Sequence, residues 1–268
     1  MREAKLSRDV HRLIQLTDSH IGEEREHRLA GICTYDTFRQ VLADIASLAN
    51  APHMLMVTGD IAAFGKHKAY QLFAEQIRFL EIPYAWLPGN HDDFGVMQES
   101  ITAAPYWPLL EFGNWRVLSL NTAVAGRVGG MLVDEELDFL ARTLAREVER
   151  PVALFMHHPP LPVGCDWLDK QRINNAQELE RIIRGAGNVK GIFCGHVHQA
   201  TETAWAGTTV YTTPSTCFQF SANSPDFAMS DDCPGYRWID LHADGYLETG
   251  VIVIDLKGHV VDHQVKEY

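Results

Sequence analysis

Five apolar runs in this chain each end in side chains that bind metal ions, and this pattern constrains the fold more than any other feature. The endings are Asp-x-His at residues 18–20, Gly-Asp at 59–60, Gly-Asn-His at 89–91, His-His at 157–158 and Gly-His-x-His at 195–198. A single ending of this kind carries little information, because short polar motifs often arise by chance. Five of them indicate one shared site, since α/β proteins place their chemistry in the loops at the ends of sheet strands.

The segments between these endings alternate between helix-like and strand-like patterns. Apolar residues at helical spacing predict helices, and Thr34 or Asp36 is expected to cap the first of them. The helices are expected at residues 34–49, 67–80, 134–147 and 175–186. Apolar runs predict strands at residues 11–17, 53–60, 84–92, 114–122, 151–160, 189–198, 208–215 and 236–256, with a hairpin turn at Asp244-Gly245. The alternation predicts an α/β chain of the α+β type, a single domain over residues 1–268 with a two-layered sheet core flanked by helices.

The charge balance and the cysteines restrict the classes of function. The chain has 23 Lys and Arg against 35 Asp and Glu, a net charge of −12, which argues against a general nucleic-acid binder because such a protein needs a basic face. Its five cysteines are widely spaced without a CxxC pair, so we expect reduced thiols. Residues 1–15 contain no apolar signal core, and no stretch approaches the roughly 18 apolar residues of a membrane span. We therefore expect a cytoplasmic protein without nucleic-acid or membrane partners.

The residue types at the five endings favour a particular group of metals. Carboxylate, imidazole and amide ligands suit first-row ions, and we expect iron or manganese first, with zinc and cobalt as alternatives. Seven such residues are too many for one tetrahedral ion, so two ions must share a ligand, and the two oxygens of Asp60 make it the natural bridge. Two divalent ions beside two aspartates leave the cluster positive by about two charges, which lets an anionic substrate approach an acidic protein.

The order D-x-H, GD, GNHD, HH and GHxH resembles that of the calcineurin-like metallophosphoesterases. Further stretches, among them LTDSHI, WLPGNHD, HHPPLPVGCDWLD, CGHVHQ and TPSTCFQF, look like the bacterial class III cyclic nucleotide phosphodiesterases, and most like those that cleave 3',5'-cyclic AMP. The resemblance covers roughly residues 11–256. It implies a four-layer αββα sandwich with mixed sheets.

The resemblance also implies a role for individual residues. One ion is expected on Asp18, His20, Asp60 and His198, and the other on Asp60, Asn90, His157 and His196. The substrate is expected to contact His20, Asp60, Asn90, His91 and His198. In the HH pair, strand alternation turns only one of His157 and His158 to the site, and the resemblance favours His157, with His158 packed behind it.

The implied reaction is the hydrolysis of 3',5'-cyclic AMP to 5'-AMP. Two metals about 3.5–4 Å apart would hold a bridging hydroxide that attacks phosphorus. His91 would stabilise the developing charge and protonate the departing 3' oxygen as general acid. A glycerophosphodiesterase or broad-specificity phosphodiesterase is the main alternative. A metal-free protein-binding scaffold is disfavoured because every ligand position holds a competent residue. The partner is a small cyclic nucleotide, and a homodimer is expected because the family often forms dimers.

Two segments are expected to select the substrate. In residues 161–175, Trp167 either stacks on a base or packs in the fold, and Asn174 or Asn175 either reads a base edge or caps the next helix. In residues 213–220, the resemblance puts Cys217 and Phe218 next to the nucleoside.

Overall fold

The computed structural model describes residues 10–256 and 258–266. The expectation that residues 1–15 lack a signal core falls largely on residues 1–9, which lie outside the described residues. Among the helices of the described part, none is long and apolar enough to cross a bilayer. All five cysteines lie in this part, and there they are unpaired with one another. The assignment of residues 1–268 to one domain stays a prediction.

The described chain forms fifteen strands and six α-helices. The strands are β1 (Val10–Leu16), β2 (Arg28–Leu29), β3 (Ile32–Cys33), β4 (Met54–Thr58), β5 (Tyr84–Leu87), β6 (Leu109–Phe112), β7 (Trp115–Leu120), β8 (Val152–Met156), β9 (Val189–Cys194), β10 (Thr201–Trp205), β11 (Thr208–Thr212), β12 (Gln219–Phe220), β13 (Met229–Ser230), β14 (Gly235–His242) and β15 (Leu247–Val253). The helices are α1 (Thr34–Ala46), α2 (His67–Ile77), α3 (Phe94–Ser100), α4 (Asp134–Arg146), α5 (Asp166–Asp169) and α6 (Ala176–Ala186), and a 3-10 turn, Arg78–Leu80, follows α2.

Two mixed sheets contain most of the strands. The first has five strands in the order β15-β14-β1-β4-β5, and the second has six in the order β10-β11-β9-β8-β7-β6. The central strands are parallel, with β1 beside β4 and β4 beside β5 in the first sheet, and β7, β8, β9 and β11 in the second. The outer strands β15, β14, β10 and β6 pair antiparallel. Parallel neighbours end at the same edge, so each sheet gathers several loops at one place.

Three apolar cores separate the four layers of the fold. Leu13 of the first sheet and Phe155 and Phe193 of the second belong to a core between the two sheets. Helices α1 to α3 cover the outer face of the first sheet through residues such as Phe38 and Phe73, while α4 and α6 cover the outer face of the second. The expected αββα sandwich with mixed sheets is confirmed, because alternate side chains of each central strand point to a different core.

The structure differs from the sequence expectation in two respects. The expectation omitted the strands β2, β3, β6, β10, β12 and β13 and the helices α3 and α5. Most of them are too short to show a period, whereas β10 is as long as β4 but mostly exposed and polar, so it leaves no apolar run. The expected cap of α1 was also wrong. Cys33 precedes α1 without a side-chain cap, and the hydroxyl of Thr34 donates instead to the carbonyl of His20 at 2.9 Å. Thr34 thus ties the helix to the loop after β1.

Replacement of Phe155 tests the core between the sheets. Its ring is fully buried and stacks on Phe193 at a centroid distance of 5.0 Å. We expect Phe155→Ala to lower the free energy of unfolding by about 3–5 kcal/mol, measured by urea denaturation, because it leaves a cavity in a packed layer. Phe79, which is 79% exposed, provides the control, and Phe79→Ala should change stability by about 0.5 kcal/mol or less. Equal losses in both variants would contradict this placement of the core.

Candidate metal centre

The five predicted endings meet at one edge of the two sheets. The loops that follow β1, β4 and β5 come from the first sheet, and those that follow β8 and β9 come from the second. Backbone hydrogen bonds join them. The amide of Asp18 donates to the carbonyl of Gly59 at 3.0 Å, and that of His20 donates to the carbonyl of Asp60 at 2.9 Å. Within the second sheet, the amide of Gly195 donates to the carbonyl of His157 at 3.0 Å. Across the two sheets, the amide of His196 donates to Oδ2 of Asp18, also at 3.0 Å.

The backbone of these loops is unusual where it carries the predicted ligands. Nine non-glycine residues in the described part have positive φ, and five of them are predicted ligands. They are Asp18, His20, Asp60, His196 and His198, with φ between 44° and 67°. Each such residue costs about 1–3 kcal/mol, and backbone of this kind persists where the surrounding contacts enforce it. The strain therefore lies at the residues predicted to do the chemistry.

Two glycines allow the loops to approach one another. A Cβ on Gly89 would lie 2.2 Å from Oδ1 of Asp60, and one on Gly195 would lie 2.1 Å from Oγ1 of Thr17. No side chain fits at such distances, so these positions admit only glycine without movement of the neighbouring loop. This steric requirement explains the glycine that precedes Asn90 and the one that precedes His196.

One group of donor atoms forms around Asp18, His20 and His198. Their ligand atoms lie within 4.8 Å of one another, and all three residues are buried. Nε2 of His198 lies 3.3 Å from both Oδ1 of Asp18 and Nε2 of His20. Two nitrogens and one carboxylate oxygen thus face a common point, as in a site for a first-row metal ion.

A second group of donor atoms forms around His157, and Asp60 lies beside both groups. Oδ2 of Asp60 lies 3.2 Å from Nε2 of His157 and 4.0 Å from Nε2 of His20. Oδ1 of Asn90 lies 3.2 Å from Nε2 of His157. Asp60 therefore stands between the two groups, which is the position of a bridging carboxylate.

The buried polar atoms of this site include some that make no hydrogen bond with the described residues. Oδ1 of Asp18 and Nε2 of His196 are examples. His196 lies beside His157, with the ring centroids 5.2 Å apart. Buried polar atoms are nearly always paired, so unpaired lone pairs on a carboxylate and an imidazole point to a cation. The donor set therefore fits divalent metal ions.

Backbone carbonyls orient the rings of two histidines. Nδ1 of His157 donates to the carbonyl of Thr58, and Nδ1 of His198 donates to that of Phe218, both at 2.8 Å. A carbonyl can only accept, so Nδ1 carries the hydrogen and Nε2 keeps its lone pair for a metal. Nδ1 of His91 has the same kind of contact, at 3.0 Å from the carbonyl of Ala63.

His158, the other member of the HH pair, lies beside His157 and His196, with its ring centroid 4.6 Å from that of His196, but its ring nitrogens have other partners. Its Nδ1 lies 2.8 Å from Oγ1 of Thr122, and its Nε2 lies 3.0 Å from the carbonyl of Val128. Burial, with a smaller contribution from His157, lowers the pKa of His158 to about 3. Both ring nitrogens are therefore engaged with the loop at residues 122–128, and this arrangement favours His157 as the ligand.

The electrostatics of the cluster favour positive charge at its centre. Burial alone would lower the pKa of His157, but the carboxylates of Asp60 and Asp18 outweigh it and raise this pKa to about 9. Burial, followed by repulsion from neighbouring histidines, lowers the pKa values of His20 and His196. The field that favours a proton at His157 also favours a metal cation, and the neutral rings of His20 and His196 offer lone pairs to it.

Sequence reasoning missed the part played by Asp92, the last residue of GNHD. Its carboxylate accepts hydrogen bonds from the amides of Gly89 and Ala62, both at 3.0 Å, and from that of Ile61 at 3.2 Å. Burial and the nearby charge of Asp60 raise the pKa of Asp92 to about 6. Asp92 therefore holds together the loops after β4 and β5, and its place in the motif was the signal that could have shown it.

A cavity of about 380 Å³ opens beside the cluster. Asn90, His91 and His196 line the end near the predicted ligands. The rest is lined by aromatic rings together with Val128, Leu168, Gln171 and Lys266. Of the residues expected to contact substrate, Asn90 and His91 thus reach the cavity. The other three, His20, Asp60 and His198, are at most 1% exposed and lie behind it.

The structure corrects the expectation for Cys217 and Phe218. Both are fully buried beneath the ligands and do not line the cavity. The ring of Phe218 stacks on that of His20 at 5.8 Å, and Sγ of Cys217 lies 3.2 Å from the carbonyl of Asp18. The wall of the cavity is formed instead by Phe220, two residues after Phe218, and by Phe227, which lies beyond residues 213–220.

The loop at residues 161–175 also departs from expectation. Trp167 lines the cavity and at the same time packs on other rings. Asn175 occupies the N-cap position of α6, which was one of the expected alternatives, but its side chain makes no bond to the helix. It bonds the backbone of Leu132 instead, accepting at 3.1 Å and donating at 2.7 Å, so it does not read a base. Asn174 lines a separate surface depression.

An αββα sandwich with a buried aspartate–histidine cluster at its strand ends defines a metal-dependent phosphoesterase. The sequence profile of the calcineurin-like phosphoesterases matches residues 11–200, and the chain belongs to this family.

Named relatives cover nearly the whole chain. A 3',5'-cyclic adenosine monophosphate phosphodiesterase CpdA from Escherichia coli is 37% identical over 243 residues, 90% of this chain and 88% of the relative. The protein of the same name from Pseudomonas aeruginosa is 34% identical over 257 residues, 96% of this chain and 94% of the relative. Among solved structures, a dimetal phosphatase from Danio rerio matches with a TM-score of 0.61 at 15% identity, over 91% of this chain and 98% of that protein, and supports the fold alone.

A methyl group on Gly195 tests the close packing of the loops. We expect Gly195→Ala to weaken metal binding by about 10–100-fold, as loss of supporting contacts around a metal site does, because Thr17 and Asp18 must move. The measurement is a titration of the metal-free protein with Mn²⁺. The matched control is Gly185→Ala in α6, where a Cβ meets no atom within 4 Å. Equal affinity in the two variants would show that the approach of the loops does not matter for binding.

Proposed function

We propose that this chain hydrolyses 3',5'-cyclic AMP to 5'-AMP with the help of two metal ions. The observation that carries the proposal is the buried cluster of aspartate and histidine side chains, in which Asp60 lies beside both groups of donor atoms. This cluster lies next to a cavity of about 380 Å³. That volume is within the range of about 300–1,000 Å³ typical of small-ligand sites. The relatives named as cyclic AMP phosphodiesterases support the choice of substrate.

The proposed ligands divide into two sets that share Asp60. We assign one ion to Asp18, His20, Asp60 and His198, and the other to Asp60, Asn90, His157 and His196. The donor types favour iron or manganese, with zinc or cobalt as alternatives. When bound, two such ions neutralise the phosphoryl oxygens and lower the pKa of a water molecule from about 15.7 toward 7. His20, Asp60 and His198 lie behind the cavity wall, so they act on the substrate through the ions they hold.

His91 is the residue we assign to proton transfer. Its amide donates to Oδ1 of Asp60 at 2.8 Å, and its Nδ1 is held by the carbonyl of Ala63, so the ring is fixed beside the cavity. In the protonated ring, the Nδ1 hydrogen stays with that carbonyl. The Nε2 hydrogen would then be the one given to the departing 3' oxygen, and the positive ring would stabilise the negative charge that develops on the phosphoryl oxygens.

The surroundings of the cavity favour a nucleotide over the alternatives. Trp167, Phe220 and Phe227 offer a large aromatic surface, which suits a base better than the glycerol of a glycerophosphodiester. The complete donor set argues against a metal-free scaffold. The net charge of −12 and the unpaired cysteines agree with a cytoplasmic enzyme that acts on small molecules and has no nucleic-acid partner. We also expect a homodimer, because members of the family often form dimers.

Paired variants test the ligand assignment in the HH motif. We expect His157→Ala to bind about one Mn²⁺ ion per chain, against about two for the unaltered protein, since two-metal sites lose an ion when a ligand is removed. His158→Ala should keep both ions but lose about 1–3 kcal/mol of stability, because the buried hydroxyl of Thr122 loses a hydrogen-bond partner. Metal content by elemental analysis and stability by urea denaturation give the readouts. The reverse pattern of metal content would transfer the ligand role to His158.

A hydrolysis panel tests the activity. We expect the Mn²⁺-loaded protein to cleave 3',5'-cyclic AMP in preference to 2',3'-cyclic AMP, glycerophosphocholine and bis(p-nitrophenyl) phosphate. Stripping with a chelator should lower the rate by at least about 1,000-fold, and Mn²⁺ should restore it, because two-metal sites supply most of the charge stabilisation. A preference for glycerophosphocholine would replace the proposed substrate. An undiminished rate after complete stripping would overturn the role of the metals.

A further inference from the structure

The cavity beside the cluster has an outer part that the reaction at phosphorus does not use. We propose that Trp167, Phe220, Phe227 and Gln171 form a nucleobase subsite there, and that the amide of Gln171 reads the hydrogen-bonding edge of adenine. This inference rests on the proposed function, because it supposes that the phosphate of a nucleotide lies at the metal end of the same cavity.

Three aromatic rings form a continuous wall in this outer part. Trp167 meets Phe220 at a centroid distance of 4.9 Å and an angle of 84°, and it meets Phe227 at 5.1 Å and 61°. Phe220 and Phe227 are 5.7 Å apart. Edge-to-face contacts of this kind are favourable and hold the rings at fixed angles to one another. The wall is therefore preformed, and the half-buried rings of Trp167 and Phe227 give it an apolar surface on which a base can stack.

Phe220 links this wall to the proposed metal ligands. Its ring is 2% exposed and stacks on that of His198 at 4.3 Å and 24°. The aromatic wall thus begins directly against the ligand cluster and extends away from it. A nucleotide has the same sequence of parts, with phosphate, sugar and base in order, so one ligand can occupy both ends.

Gln171 supplies a polar group on this wall. It is half-buried and lines the cavity, and its position is set by its backbone. The backbone amide of Gln171 donates to the carbonyl of Leu168 at 2.8 Å, and its backbone carbonyl accepts from the amide of Gly130 at 3.3 Å. Its side chain makes no hydrogen bond with the described residues, whereas the histidines and Asn90 of the same cavity belong to the ligand cluster. Lys266 also lines the cavity, but its exposed ammonium group can only donate hydrogen bonds, so it cannot match a base edge that presents both a donor and an acceptor.

The chemistry of the amide matches the edge of adenine. Adenine presents an amino donor beside a ring-nitrogen acceptor, and a glutamine side chain offers the complementary acceptor and donor in one plane. A carboxylate can only accept, so it faces repulsion at the ring nitrogen of adenine. Guanine instead presents two adjacent donors on its Watson–Crick edge, which a carboxylate can accept together. Replacement of Gln171 by glutamate should therefore turn the preference from adenine toward guanine.

The experiment compares Gln171→Glu with the unaltered Mn²⁺-loaded protein. We expect the ratio of kcat/KM for 3',5'-cyclic AMP to that for 3',5'-cyclic GMP to fall by at least about tenfold, the usual size of one bidentate base contact. Titration calorimetry with 5'-AMP and 5'-GMP should show the same inversion in affinity, independently of turnover. Because the result is a ratio, a general loss of folded or metal-loaded protein does not imitate it.

Two further variants separate the subsite from general effects. Asn174→Asp adds the same charge to a neighbouring residue outside the cavity and should leave the ratio unchanged. Phe227→Ala removes one ring of the wall and should raise KM for cyclic AMP by about tenfold with kcat changed less than threefold, since stacking on one ring is worth about 1–3 kcal/mol per base.

The outcomes distinguish this inference from the function on which it rests. If the unaltered protein cleaves cyclic AMP and Gln171→Glu lowers the rates for cyclic AMP and cyclic GMP equally, the reading role of Gln171 is overturned and the proposed function stands. If Asn174→Asp shifts the ratio as much as Gln171→Glu, the effect is one of charge and the inference is likewise overturned. If the unaltered protein cleaves bis(p-nitrophenyl) phosphate but neither cyclic nucleotide, both the substrate and the subsite fall.

Discussion

The arrangement of this protein depends on the burial of two carboxylates, Asp18 and Asp60, at the place where its sheets meet. Both are at most 1% exposed, and an ionised carboxylate taken out of water costs several kcal/mol unless other groups compensate it. The compensation comes from all sides. Oδ2 of Asp18 accepts from the hydroxyl of Thr17 and the amide of His196, and Oδ1 of Asp60 accepts from the amide of His91. In each carboxylate the remaining oxygen is thereby directed to the histidines, where a bound metal ion would complete its neutralisation.

The rest of the fold supplies the rigidity that this arrangement needs. Five residues with positive φ and two glycines without room for a side chain make the loops of the centre costly by themselves. Three apolar layers offset that cost, since the two sheets pack on each other and on helices along both outer faces. Two side chains fix the loops to this framework. Asp92 joins the loops after β4 and β5, and Thr34 of α1 bonds the carbonyl of His20. Stability and function are thus divided between the strands and their ends.

The sequence predicts the long elements and the meeting of the five endings because both leave local signals. A strand that carries a ligand at its end shows as an apolar run followed by a polar motif, as in the segments that end at Asp60 and His196. The edge strand β6 is partly exposed and β10 is mostly exposed and polar, so neither shows as a long apolar run. The choice between His157 and His158 depends on Thr122 and Val128, which are distant in the chain. For the same reason Phe227 escaped notice and Phe218 was placed in the cavity, since packing across loops leaves no trace in local spacing.

Each proposed ion takes its donors from both halves of the sandwich. His198 comes from the second sheet and joins Asp18 and His20 of the first, while Asn90 of the first sheet joins His157 of the second. Such ions would cross-link the two sheets as well as take part in the reaction. A movement of one sheet relative to the other would separate the donors, so the affinity for the ions and the stability of the packed sheets are thermodynamically linked.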